Sequence, residues 1–349
     1  MRLTVEDGVR LFDDDLIELG LRADSIRRQR FGDVTTFIID RNINYTNVCE
    51  NECRFCAFWR RAGAKGAYLL TLDEILEKVR ETVEAGGTQV MIQGGLNPTI
   101  GLDYFERMFR AIKSKFDITI HSLTATEIEW LARREGLTIL DVLKRLQAAG
   151  LDSLPGGGAE ILVDDIRRRI SPKKITTDGW LNVMRAAHSI GMKTTATMVI
   201  GFGETPAQRI EHMEKVRRLQ DETGGFRAFI TWTFQPTNTE LGGGKVSAWD
   251  YMRTLAITRI YLDNIDHIQG SWVTQGERIG QLTQGFGADD LGSIMLEENV
   301  VRAAGTSFDM SVGKMLRMIE GAGMIPAQRD SEYNHLSSKS SIATGKTIA

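Results

Sequence analysis

Apolar and polar positions along the chain follow two different periods, and the two trade places repeatedly. From about residue 4 to residue 30, Val9, Leu11, Phe12, Leu16, Ile17 and Leu19 recur at helical spacing and predict a two-helix lead-in that acts as a packing cap. The apolar run Phe37-Ile38-Ile39 predicts a strand. A capping box, Thr71-Leu72-Asp73-Glu74, opens a helix, and Gln89-Val90-Met91-Ile92 forms the next strand. Helices are then predicted around 102–115, 124–134, 138–149, 178–190, 206–222 and 248–262. Strands fall between them at 118–120, near Leu151, at 194–200, at 229–234 and at Ile268. A final segment adds a strand at 291–296 and helices at 297–304 and 311–322.

This order predicts parallel strands joined by right-handed crossovers, and the count approaches that of a (β/α)8 TIM-type barrel of the α/β class. A doubly wound sheet is the alternative. The expected organisation is an N-terminal helical extension over 1–34, the barrel with its closing segment over 35–335, and a flexible tail over 336–349, where Ser, Lys and Thr have little to bury. A length of 349 residues suits one such unit.

Charge narrows the function. With 43 basic and 46 acidic residues and a net charge of −3, nothing points to nucleic acid or a membrane surface, so the expected partner is a small molecule. Neither a signal segment nor an apolar stretch of about 18 residues is present, which predicts a cytoplasmic protein without membrane insertion.

Only three cysteines occur, all within eight positions: Cys49, Cys53 and Cys56. An odd number so close together is a poor disulfide framework and a plausible metal site. The loop follows the first predicted strand, which on a barrel is the catalytic face. Three thiolates can hold three irons of a cubane cluster, and with no fourth cysteine one iron stays open for another ligand. A zinc knob is the competing reading; it needs a fourth ligand such as a remote His121, because none of the five histidines is near in sequence.

The loop from Asn44-Tyr45-Thr46-Asn47 through Cys56-Ala57-Phe58 resembles the radical S-adenosylmethionine (SAM) signature. The resemblance implies a [4Fe–4S] cluster on Cys49, Cys53 and Cys56, SAM on the open iron, and an external reducing electron donor. Phe55 would cover the cluster and Phe58 the adenine side, unless both are core filler. Gln93-Gly94-Gly95 resembles the turn that meets the methionine amino group, although two glycines alone make an ordinary turn. Glu160, after Gly156-Gly157-Gly158-Ala159, matches the position that binds the SAM ribose, and Gly201 in Gly201-Phe202-Gly203-Glu204-Thr205 matches the adenine-side motif.

Over residues 30–335 the resemblance extends to the radical SAM group that holds the menaquinone futalosine-pathway enzymes and FO synthase. It is carried by Leu154–Glu160, Ile170–Lys174, Gln220–Phe226, Trp232–Thr239 and Gly292–Val301. Asn97 departs from the group's pattern, which has histidine there. The resemblance implies a branch that acts on dehypoxanthine futalosine: hydrogen leaves the ribose at C4′, that carbon joins the aromatic ring, and loss of an electron and of a proton, the proton to a base, restores aromaticity. Candidates for the base are His121, Glu204 and Tyr45. For the substrate carboxylate they are Thr231, Ser271 and Arg278, near late strand ends. Arg54, Arg60 and Arg61 read equally well as solvated loop charges.

Overall fold

The computed structural model describes residues 2–306 and 308–336. Among the described residues nine strands are formed: β1 (Val34–Ile38), β2 (Asp40–Ile43), β3 (Gln89–Ile92), β4 (Thr119–Ser122), β5 (Thr194–Ile200), β6 (Phe226–Thr233), β7 (His267–Gln269), β8 (Asp290–Ser293) and β9 (Ile325–Gln328). Every strand pairing is parallel. One sheet runs β5-β6-β7-β8-β1-β9 and the other β2-β3-β4.

The two sheets make one barrel. β1 and β2 are halves of a single bent strand, broken only at Ile39, so the first sheet passes directly into the second. At the far side, Ser153 bridges His121 of β4 and Leu154 bridges Thr194 of β5. Those two residues are the fourth stave of an eight-stave ring. β9 is an addition, pairing with β1 from Val34↔Ile325 to Phe37↔Gln328 at the N-terminal end of the barrel.

Helices cover the ring because their caps and apolar faces are written locally. Thr71 with Glu74, Thr124 with Glu127 and Thr205 with Gln208 form capping boxes. Gly136, Gly150 and Gly224 end their helices in the left-handed conformation. Inward faces such as Ile128, Leu131, Val142, Leu143 and Leu146 are wholly buried. The lead-in consists of helices Val5–Arg10 and Leu16–Phe31. The second packs on helix Ala248–Tyr261, and at Gly20 a Cβ would lie 2.7 Å from the Phe286 ring.

Several expected elements shift. The strand expected at 229–234 starts at Phe226, and that expected at 291–296 ends at Ser293, after which Met295 takes a positive φ of 49°. A helix at Asp164–Ile170 and strand β9 were not anticipated. The tail after Leu336 lies outside the described residues. Among the described residues, no helix is long and apolar enough to cross a membrane.

Candidate active site

The loop that carries the cysteines leaves the C-terminal end of β2 and is tied down from three sides. Cys49 N–H donates to the Arg60 carbonyl, Glu50 N–H to Leu96 and Arg54 N–H to Ile170. Asn47 fastens the returning strand of the loop, accepting from Tyr68 N–H at 3.0 Å and donating to the Gly66 carbonyl at 2.8 Å. Cys53 is buried while Cys49 and Cys56 are partly exposed. Burial pushes the Cys53 thiol up to about 12 and also raises Cys56. Burial of these two thiols disfavours their thiolates in the free protein, which bound metal would stabilise.

All three cysteines line one cavity of about 390 Å3 that enters the barrel. Phe55, Phe58, Gln93, Gly94, Gly95, Glu160 and His121 line it too. Phe55 sits edge-on to Phe202 with centroids 5.5 Å apart, and Lys174 Nζ lies 5.3 Å from its ring centre. The glycines earn their place through the cysteine loop: a Cβ on Gly95 would lie 2.1 Å from the Val48 carbonyl oxygen, and one on Gly94 2.8 Å from the Tyr45 ring. Only bare backbone lets the β3 turn lie this close beneath the loop.

Glu160 holds a positive φ of 40°. Lys174 Nζ donates to its Oε1 at 2.7 Å, and Arg167 approaches Oε2 at 3.9 Å. Oε2 is buried without a hydrogen-bond partner, as are Thr126 Oγ1 and Asn44 Oδ1 on the same walls. Buried acceptors left open on a cavity wall suit a ligand rich in hydroxyl and amino groups. Burial works against the Lys174 charge, yet the Glu160 carboxylate outweighs it and the ammonium is held above its usual range. Lys174 had no assigned role in the sequence, although it belongs to the quoted segment Ile170–Lys174.

Other expected residues lie elsewhere. Tyr45 donates to Glu127 Oε1 at 2.7 Å; that carboxylate also accepts Gly94 N–H at 3.1 Å, so the tyrosine braces the turn instead of facing the cavity. Glu204 accepts from Gly201 N–H at 2.9 Å, Phe202 N–H at 2.8 Å and Arg209 Nε at 2.9 Å. It and Gly201 therefore form a turn off the cavity wall. Thr231 is buried against Thr258, Ser271 N–H donates to Tyr251 Oη and its hydroxyl pairs with Thr274, and Arg278 is exposed. Asn97 is a loop tie: Nδ2 donates to Thr46 Oγ1 at 3.2 Å while Oδ1 accepts from Thr99 N–H and Oγ1. Arg60 donates to the carbonyls of Ala57, Phe58 and Trp59, Arg61 pairs with Glu52, and Arg54 lies 3.3 Å from Glu240.

His121 is buried on the cavity wall, its Nδ1 2.8 Å from Ser153 Oγ. Burial, reinforced by Arg227 and Arg329, holds its pKa well below the usual value, so the ring is neutral. Two carboxylates missed in the sequence share the wall. Asp40 accepts from Ser293 Oγ and Gln89 Nε2, Glu298 from Val300 and Val301 N–H, and burial raises both. Among the described residues no three His, Cys, Asp or Glu converge as ligands of a single ion. Cys49, Cys53 and Cys56 are the residues that would hold an iron–sulfur cluster, by their thiolates, at this cavity.

A parallel eight-stave barrel with a three-cysteine loop at its C-terminal mouth defines a class, and the chain belongs to the radical SAM superfamily, which it matches over residues 43–216. Residues 223–342 match the CofH/MqnC C-terminal region. The chain is 47% identical to the cyclic dehypoxanthine futalosine synthase of Streptomyces coelicolor, across 96% of this chain and 86% of that one. It is 46% identical to the enzyme of the same name from Halalkalibacterium halodurans, across 95% and 91%. The fold is shared with the FeFe-hydrogenase maturase HydG from Carboxydothermus hydrogenoformans at a TM-score of 0.76 and 18% identity, covering 95% of this chain and 77% of that one.

Proposed function

We propose that this enzyme cyclises dehypoxanthine futalosine, joining the ribose C4′ to the aromatic ring. The observation that carries this reading is the continuous cavity, with three thiols at its mouth and a buried polar lining within the barrel. A [4Fe–4S] cluster on Cys49, Cys53 and Cys56 together with SAM would supply a 5′-deoxyadenosyl radical there.

The chain's own residues do the rest. Phe55 and Phe58 wall the mouth, and Gln93, Gly94, Gly95 and the open Oε2 of Glu160 receive SAM. Lys174 keeps Glu160 in place through Oε1. The enclosing barrel keeps water from a reactive carbon radical. When the ring regains aromaticity it gives up one electron and one proton; the electron would return to the cluster, and the proton goes to His121, the one member of the expected base set that lines the cavity. Glu204 and Tyr45 are engaged elsewhere, in the Gly201 turn and with Glu127. A one-electron reductant, a cytoplasmic setting and no nucleic-acid partner complete the reading.

The test is anaerobic: reconstitute the cluster, add dithionite, SAM and dehypoxanthine futalosine, and follow products by mass spectrometry. A product lighter by two hydrogens, formed with 5′-deoxyadenosine, is expected. SAM cleavage with the substrate untouched would move the assignment to an aminofutalosine or FO synthase activity, and an intact cluster that cleaves no SAM would overturn the radical reading.

A further inference from the structure

The groups at the cavity mouth are matched by the cofactors, whereas one group at the opposite end has no assigned task. The register of β5 and β6 slips near their starts: Thr194 faces Phe226 and Thr195 faces Ala228, which leaves Arg227 as the extra residue of a bulge. Bulges re-aim side chains, and this one puts Arg227 on the cavity wall.

Its side chain is 9% exposed and its guanidinium only partly engaged. Nη2 lies 2.5 Å from Ser153 Oγ, Nη1 pairs with Glu332, and Nε is buried with no hydrogen-bond partner. Glu332 is itself 58% exposed, so much of its charge is spent on solvent. The second arginine on the wall, Arg329, offers a contrast. It donates to both oxygens of the buried Asp290 at 3.0 and 2.7 Å and to the Asp330 carbonyl, so its charge is already paired with a buried carboxylate.

We infer that Arg227 anchors the aryl carboxylate of the substrate, which lies side-on against the Nε and Nη2 edge at the end of the cavity away from the cysteines. This inference rests on the function proposed above and assigns the carboxylate contact that Thr231, Ser271 and Arg278 do not make. The spacing suits it. β6 lines the cavity from Arg227 to Trp232, about 16 Å of strand at roughly 3.3 Å per residue. An aryl group held at the arginine leaves the ribose toward the thiols. It also puts the ring beside His121, since Ser153 Oγ touches both the Arg227 guanidinium and the His121 ring. Arg227 is then a binding and positioning residue, and Glu332 a competitor for it.

The experiment compares dehypoxanthine futalosine with its carboxamide analogue in reconstituted full-length wild type, Arg227→Gln and Glu332→Gln. Wild type is expected to favour the acid in kcat/KM by about 10- to 100-fold, the range for one charge-assisted pair. R227Q should lose that preference mainly through KM while retaining its cluster spectrum. E332Q should lower KM for the acid and leave KM for the amide unchanged, a result that does not depend on R227Q folding. An R227Q enzyme that still prefers the acid as wild type does, or an E332Q enzyme with an unaltered KM for the acid, overturns the anchor alone. A wild type that turns over neither compound overturns the proposed function, and the anchor with it.

Discussion

The two ends of the cavity are built in opposite ways. At the mouth, the chemistry sits in an eight-residue stretch from Cys49 to Cys56, cushioned by one glycine turn. At the floor, Asp290 of β8 accepts from Thr36 of β1 at 2.9 Å and from Arg329 beyond β9, while Ser331 donates to Gln89 of β3 at 2.8 Å. Those partners come together only when the barrel closes. Local motifs can specify a reaction, whereas nonlocal polar pairs hold the vessel in which it happens.

The contrast predicts different kinds of damage. Cys53→Ala should abolish the cluster absorption and 5′-deoxyadenosine formation, while the urea stability of the metal-free protein changes by less than about 1.5 kcal/mol, because the side chain borders a cavity. Asp290→Asn should do the reverse. It strands the Arg329 guanidinium, whose side chain is 7% exposed, and breaking such a buried pair costs about 3–5 kcal/mol in urea unfolding. Equal losses of stability in the two variants would erase the distinction.

Sequence patterns reached the mouth more readily than the floor for physical reasons. Periodicity placed the helix at 102–115 and the strands at 89–92 and 194–200 where they occur, since each has a clear apolar face. The stave at Ser153 and Leu154 has only two paired residues, too few for any period. Thr231 was expected at the substrate, but Ile230 and Trp232 line the cavity, and in a strand the residue between them faces the other way. Arg227 was out of reach for a related reason, because a bulge breaks the alternation on which such inferences depend. Glu127 did leave a local trace, the box Thr124-x-x-Glu127, yet its second task of holding Tyr45 and Gly94 depends on the fold.

A milder change at the mouth separates binding from architecture. Glu160→Gln removes the charge that Lys174 faces and turns one open acceptor into a donor. Loss of a charge-assisted hydrogen bond at Oε2 should weaken SAM binding by about 1.5–3 kcal/mol, roughly 10- to 100-fold in Kd, while the cluster spectrum persists. Equilibrium dialysis of the reconstituted variant measures this directly. An unaltered Kd would remove Glu160 from the SAM site and leave it as the partner of Lys174.

The smallest expected effect belongs to neither end, and so tests whether the surrounding shell responds separately. His188 bonds the hydroxyls of Thr223 at 2.7 Å and Thr194 at 2.8 Å, packed between helix Thr177–Ser189 and the start of β5. Burial, then the charges of Lys193 and Arg185, lower its pKa to about 4 from an ordinary 6.5. Between those values the unfolded chain binds the proton and the folded chain does not. Its contribution is therefore complete above pH 6.5 and declines as pH falls toward 4, by about 1.4 kcal/mol per pH unit for one proton. Asp40, Glu127 and Glu298, whose pKa values burial raises, respond in the opposite sense, so the slope of the wild type alone does not isolate the histidine. The comparison with His188→Gln does. Urea unfolding at pH 7 and pH 5.5 should show a weaker acid dependence in the variant, by up to about one proton's worth, whatever its offset at pH 7. Identical slopes would mean that His188 keeps its proton in the folded shell, and that the shell is wetter there than its burial implies.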